Sequence, residues 1–353
     1  MSRARKTGLT VAIIVVAVVV LLGAAIYLRS RAAPEAVRLL PAADTILYFN
    51  LRPIRLVTNF GDRQIEHEPD YEDFVRQTGI QFERDLDEAA FAVHTSNQTA
   101  ASSRADEDTS RYSEVFVGRF NSEKLRAYLK KLAGSMEHYR AHDIYNIPHE
   151  GRTVRVSILA PDTVAASNAE DDRQIHHIVE QYEKLALPFG GPELVRDFYS
   201  QVPFGSLAWI ITDVPIRNAT LPGGWAQEMI SQLLGRGVVV VSLRYSTAVH
   251  LRADSFVSEE KAKDVSEHLN SLLAIYRRMD ASTQPEAPNP DLKAALDSIK
   301  IEPQSDRVSL SATLPRELVA KLFESPVEAE TKPEPATPQP QPHQKKQRHS
   351  RRK

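Results

Sequence analysis

Apolar residues follow three different spacings along this chain. From Leu9 to Leu28 (LTVAIIVVAVVVLLGAAIYL) 20 residues run without a charge. A helix of that length, rising 1.5 Å per residue, spans the roughly 30 Å hydrocarbon core of a bilayer, so the run predicts a transmembrane helix. It exceeds the usual apolar stretch of a secretory signal, and its small-residue cleavage candidate, Gly23-Ala24-Ala25, lies inside it. The run therefore reads as an uncleaved, single-pass anchor. Arg3, Arg5 and Lys6 on one side, against Arg29, Arg31 and Arg38 on the other, orient residues 1–8 to the cytoplasm and the bulk outside.

From residue 39 the spacing becomes short alternations interleaved with helical stripes. Thr45–Asn50 (TILYFN), 89–96, 115–120, 143–147, 153–159 and 162–168 read as strands, with a turn at His149-Glu150-Gly151. Tyr71, Phe74 and Val75 give a short helix over 70–78 ending at Gly79, and 97–113, rich in Ser, Thr, Ala and charge, reads as a loop. Asn121 or Ser122 caps a helix carrying Leu125, Tyr128, Leu129 and Leu132, and Ile175, Ile178, Val179, Tyr182 and Leu185 stripe another over 171–185.

Pro188–Pro192 (PFGGP) punctuates the chain, and the rhythm then starts again. Helix 193–200, strand 206–212, helix 225–234, a hairpin at 238–245 and 249–254, and a long helix from Ser258 follow. A Pro-rich connector at 280–290, helix 291–298, strand 307–314 and helix 315–323 complete it. VFVGRFNSEKLRAYLKKL beside HLRADSFVSEEKAKDVSEHL repeats one order: strand, phenylalanine, Ser-Glu cap, amphipathic helix. The expected fold is α+β: a transmembrane helix at 9–28, then two similar antiparallel sheet-plus-helix halves, 39–187 and 193–323. Residues 324–353 hold six prolines between Pro326 and Pro342 and end KKQRHSRRK; too polar to bury a core, they read as a disordered basic tail.

The turn Leu39-Leu40-Pro41-Ala42-Ala43-Asp44 feeding TILYFN resembles the opening of a group of uncharacterised single-pass, membrane-anchored bacterial proteins with a duplicated α+β extracytoplasmic region. Phe91–His94, Thr163–Asn168 and Arg307–Leu314 continue the likeness, which covers most of 39–323. It implies the fold and a place on the periplasmic side of a bacterial inner membrane, and carries no activity with it.

Charge sharpens this picture. The whole chain has 44 Lys and Arg against 46 Asp and Glu, but the two ends hold 12 of the bases and 4 of the acids. The middle is left with 32 bases and 42 acids, a net of −10, which argues against a nucleic-acid-binding core. With no cysteine, disulfides, thiolate metal sites and a cysteine nucleophile are excluded.

Motifs for chemistry are sparse. Ser258-Glu259-Glu260-Lys261 matches S-x-x-K, the serine–lysine pair of penicillin-recognising enzymes. Its companion Lys-Thr-Gly occurs only at Lys6-Thr7-Gly8, across the membrane, and Ser258 is explained as a helix cap. His67 among Glu66, Glu68 and Asp70, and Asp172, His176 and Glu180 at i, i+4, i+8, have metal-ligand chemistry but read as solvated faces. Trp209 and Trp225 read as core. No catalytic, cofactor-binding or metal residue is assigned, and no cofactor. The expectation is a non-enzymatic binding or scaffold protein of the cell envelope, whose basic tail meets an envelope protein or anionic polymer. The alternatives are a hydrolase whose site is assembled from distant residues and a carrier of an apolar ligand.

Overall fold

The alternation at Thr45–Asn50 is that of a strand with one face in the core. The computed structural model describes residues 32–58, 69–94, 111–184, 190–214, 237–283 and 290–315, and it sets this strand in the middle of a twelve-stranded antiparallel sheet. In chain order, helix α1 (Glu35–Arg38) precedes β1 (Thr45–Asn50). Helices α2 (Leu51–Thr58), α3 (Pro69–Thr78) and α4 (Phe82–Asp85) lead to β2 (Leu86–His94) and β3 (Arg111–Gly118). Helix α5 (Ser122–Leu132) is followed by β4 (Ser135–Tyr139), β5 (His142–His149), β6 (Arg152–Ala160), β7 (Thr163–Ser167) and α6 (Arg173–Glu183). Helix α7 (Glu193–Phe198), extended by a 3-10 turn, leads to β8 (Ser206–Thr212), β9 (Val239–Tyr245) and β10 (Val249–Phe256). Helices α8 (Glu259–Thr283) and α9 (Pro290–Ser298) and strands β11 (Lys300–Pro303) and β12 (Arg307–Leu314) end the described fold.

The strand order is β11-β12-β10-β9-β8-β1-β2-β3-β7-β6-β5-β4. Residues on both sides of PFGGP thus share one sheet, joined where β1 and β8 pair with Tyr48 opposite Trp209. One cross-strand row can be followed from that seam to an edge: Trp209, Tyr48, Ala90, Val115, Ala165, Ser157, Ile144, Glu137. Side chains in a row stand on one face, so the register carries the apolar floor outward until it ends in a carboxylate.

That face packs under α1, α6 and α7. Ala36, Val37, Ile175, Ile178, Val179 and Val195 join Ile46, Tyr48, Trp209 and Ile211 in one buried cluster. The opposite face is covered at one end by α5, through Leu125 and Leu129 on Tyr145 and Val164. At the other end α8 covers it, through Ala262, Val265, Leu269 and Leu273 on Ala253, Val308 and Leu310. Each such buried leucine or isoleucine contributes about 1.5–3 kcal/mol, which outweighs the weak intrinsic preference of these segments.

Several sequence expectations are corrected. Residues 111–113, read as loop, begin β3, because Arg111 and Tyr112 pair with His94 and Val93. Two strands, β4 and β11, were not foreseen; they are the sheet's two edges, where only one side of the ladder is paired and polar residues are tolerated. Helix α8 runs through residues 280–283, read as connector. The helices expected at 225–234 and 315–323, most of the loop 97–113, the anchor 9–28 and the tail 324–353 lie outside the described residues. Among the described residues, no helix is long and apolar enough to cross a membrane.

Candidate functional site

Helix α6 lays its apolar stripe on the sheet, which fixes the side of the helix that faces the β4 edge. Asp172 stands just before the helix and His176 one turn into it, so both reach the same edge. Strand β4 (SMEHY) alternates as an edge strand does, with Glu137 and Tyr139 half-buried and Met136 and His138 exposed. The result is a convergence of Glu137, Asp172 and His176, each offering a ligand atom within 4.8 Å of the others. His176 Nε2 lies 2.9 Å from Glu137 Oε1. Its ring is stacked on Tyr139, with centroids 3.8 Å apart and planes within 10°, which fixes the direction in which the imidazole nitrogens point.

Beside this cluster opens a pocket of about 370 Å³ whose polar lining includes Ser135, Glu137, Asn146, Arg155 and Asp172. Ser135, Asn146 and Arg155 are register partners on neighbouring strands, in the row next to Glu137. Asn146 donates from Nδ2 to Ser135 Oγ at 3.1 Å, while its amide oxygen is buried without a hydrogen-bond partner. Arg155 donates to the Ala169 and Glu170 carbonyls at 2.8 and 3.3 Å, which fixes its guanidinium beside the segment leading to Asp172.

The sequence groups Asp172, His176 and Glu180 on one helix face, read as solvated, and the structure separates them. Asp172 and His176 come together, but Glu180 turns away to accept from Tyr139 Oη at 2.7 Å and Arg140 at 3.1 Å. Those two bonds, the Tyr139 hydroxyl first, pull its carboxyl below the ordinary carboxylate range. Glu137 takes its place, and sequence reasoning missed it because β4 itself was missed. The signal present was its alternation, Ser135, Glu137 and Tyr139 on one side.

A second cavity, of about 540 Å³, lies where β1 begins and β8 ends, lined by Asp44, His94, Glu193, Asp197 and Asp213 among others. His94 Nε2 lies 3.1 Å from Ser113 Oγ, the spacing of a base and a nucleophile. Ser113 is fully buried, however, and shares its hydroxyl with Ser167 at 3.2 Å. The trio is a polar tie within the core, and burial holds the His94 imidazole below its ordinary pKa. A third pocket gathers Arg52, Arg55 and Arg119 around Asp87, with Arg55 bound to Asp87 and to the Leu86 carbonyl.

Of the remaining sequence candidates, Ser258 is exposed and its carbonyl accepts from Ala262 N at 2.9 Å, as a residue opening a helix does. Trp209 is core, 2% exposed. Glu66, His67 and Glu68, Lys6-Thr7-Gly8 and Trp225 lie outside the described residues.

No protein-family model and no curated protein matches this chain. Among solved structures it is similar to crystal form III of TP0453, at 12% identity and TM-score 0.44, over 82% of this chain and 97% of that one. Crystal form I gives 12% and 0.43, over 83% and 97%. Crystal form IV gives 13% and 0.41, over 82% and 96%.

Proposed function

We propose that this is a single-pass membrane protein of the bacterial cell envelope, with its α+β region outside the cytoplasm, acting by binding or scaffolding a partner. The observation that carries the reading is the uncharged 20-residue run Leu9–Leu28, which stands only a few residues before helix α1. A bilayer-length apolar helix fused by a short tether to an acidic folded region holds that region at a membrane surface. The partner is an envelope protein or anionic polymer, met in part by the basic end Lys345–Lys353.

The extracytoplasmic region is, on the same proposal, a duplicated unit in the manner of the membrane-anchored family it resembles. Pro34-Glu35-Ala36-Val37-Arg38 before β1 is matched by Pro192-Glu193-Leu194-Val195-Arg196 before β8, with the prolines at ψ 148° and 150°. Strand orders outward from the seam, β1-β2-β3-β7 and β8-β9-β10-β12, correspond, and α5 and α8 leave β3 and β10 toward the same face.

Protease added to spheroplasts tests the placement. The region after residue 34 is expected to be degraded while a cytosolic protein survives; protection of that region overturns the proposal.

A further inference from the structure

We infer that Glu137, Asp172 and His176 form a divalent-cation site of the zinc class, with an open coordination position facing the adjoining pocket. The inference does not depend on the envelope role. Two carboxylate oxygens and one imidazole nitrogen are the donor set of a three-ligand site that leaves room for water or a bound oxygen donor. Zinc bonds of about 2.0–2.2 Å hold ligand atoms within roughly 4.4 Å of one another. Here the three are within 4.8 Å, so small side-chain rotations close the shell.

Two features set this cluster apart from an ordinary surface ion pair. The first is the Tyr139 stack, which holds His176 Nε2 toward Glu137 at 2.9 Å. A fixed imidazole loses little freedom on ligation. The second is Asn146, a residue of the same pocket, whose shielded amide oxygen has no hydrogen-bond partner. A buried acceptor without a donor costs free energy, and a cation-bound water that the amide reaches by a small rotation would relieve that cost. Arg155, the positive charge in the pocket lining, is engaged by the Ala169 and Glu170 carbonyls just before Asp172. A bound ion would tie α6 to the outermost strand β4, which has a neighbour on one side only.

The test is a zinc titration of the full-length chain in detergent after chelator treatment, with cobalt(II) absorption as the spectroscopic reading. Glu137→Gln keeps the shape of the side chain and its contact with His176, and Asp172→Asn is isosteric, so both are expected to melt as the wild type does without metal. Each of these, and His176→Ala, is expected to weaken the tightest zinc-binding event at least about tenfold and to reduce the cobalt absorption. His138→Ala, on the exposed side of the same strand, leaves both readings unchanged. Equal zinc affinity in the wild type and the Glu137→Gln and His176→Ala variants overturns the site, as does a wild type that takes up no zinc.

Discussion

Tyr48 and Trp209 face each other across the β1–β8 seam, their rings stacked with centroids 5.5 Å apart and planes at 29°. Trp209 also packs at 5.5 Å on Tyr199, from the turn that leads into β8. The buried Tyr48 and Trp209 rings therefore lie where the chain before PFGGP meets the chain after it. Trp209→Ala is expected to cost about 3–5 kcal/mol, read as a fall in the midpoint of chemical unfolding. Trp209→Phe, which preserves part of the stack, should lose clearly less. An unfolding midpoint unchanged by the alanine variant would mean that the seam is held by its ladder bonds alone.

Gly118 closes β3 against the irregular start of β2. A Cβ built there would lie 2.4 Å from the Asp85 carbonyl oxygen and 3.1 Å from the Leu86 Cα. Both obstacles are backbone and cannot rotate aside, so Gly118→Ala should cost about 1–3 kcal/mol. Gly190 has nothing within 4 Å of the corresponding position, and Gly190→Ala is expected to be neutral. Urea unfolding of the two variants side by side distinguishes crowding from a general intolerance of side chains at glycines.

Helix α5 begins with a cap that is readable from sequence: the Asn121 side chain accepts from Lys124 N at 3.1 Å. Asn121→Ala is expected to lose about 0.5–2 kcal/mol and Asn121→Ser to recover most of it. Equal melting of all three proteins would show that packing of Leu125 and Leu129 fixes the helix start without help from the cap.

How much was legible in sequence follows the depth of each element in the sheet. Strands β1, β8 and β12 were bounded correctly because one or both of their faces are buried, and burial imposes a readable alternation. Strands β4 and β11 escaped notice because an edge needs little apolar surface, and Ser-Met-Glu-His-Tyr looks like any polar loop. The candidate site inherits that blindness. Asp172 and His176 are one helical turn apart and could be paired on paper, whereas Glu137 reaches them only through the register of β4 on β5 and the packing of α6 on β6 and β7. The Pro-Glu-x-Val-Arg repeat is present in sequence, but its second copy begins on Pro192, the last residue of PFGGP, and so reads as part of that boundary.

Glu114 gives the fold a pH dependence whose sign can be worked out. It lies in β3, opposite Phe91 on one side and Ala166 on the other, and burial raises its carboxyl above the ordinary value of 4.5. A raised carboxyl binds its proton more tightly in the folded chain than in the unfolded one. Between 4.5 and that higher value the folded state therefore carries more protons, and stability falls as pH rises, by at most about 1.4 kcal/mol per pH unit for one group. Glu88 is also raised by burial and adds a slope of the same sign. His94 acts oppositely: burial lowers its imidazole from 6.5, so its contribution to stability is complete above that pH and is lost as the pH falls below it. Glu114→Gln removes the charge that burial penalises while keeping the shape. It should match the wild type near pH 4, where both side chains are neutral, and exceed it at pH 7. Adding Glu88→Gln should flatten further the fall of stability with rising pH that remains above 4.5. Urea unfolding at stepped pH gives the comparison, and a Glu114→Gln protein less stable than the wild type at pH 7 would show that the surroundings of the Glu114 carboxylate stabilise its charge by more than burial penalises it.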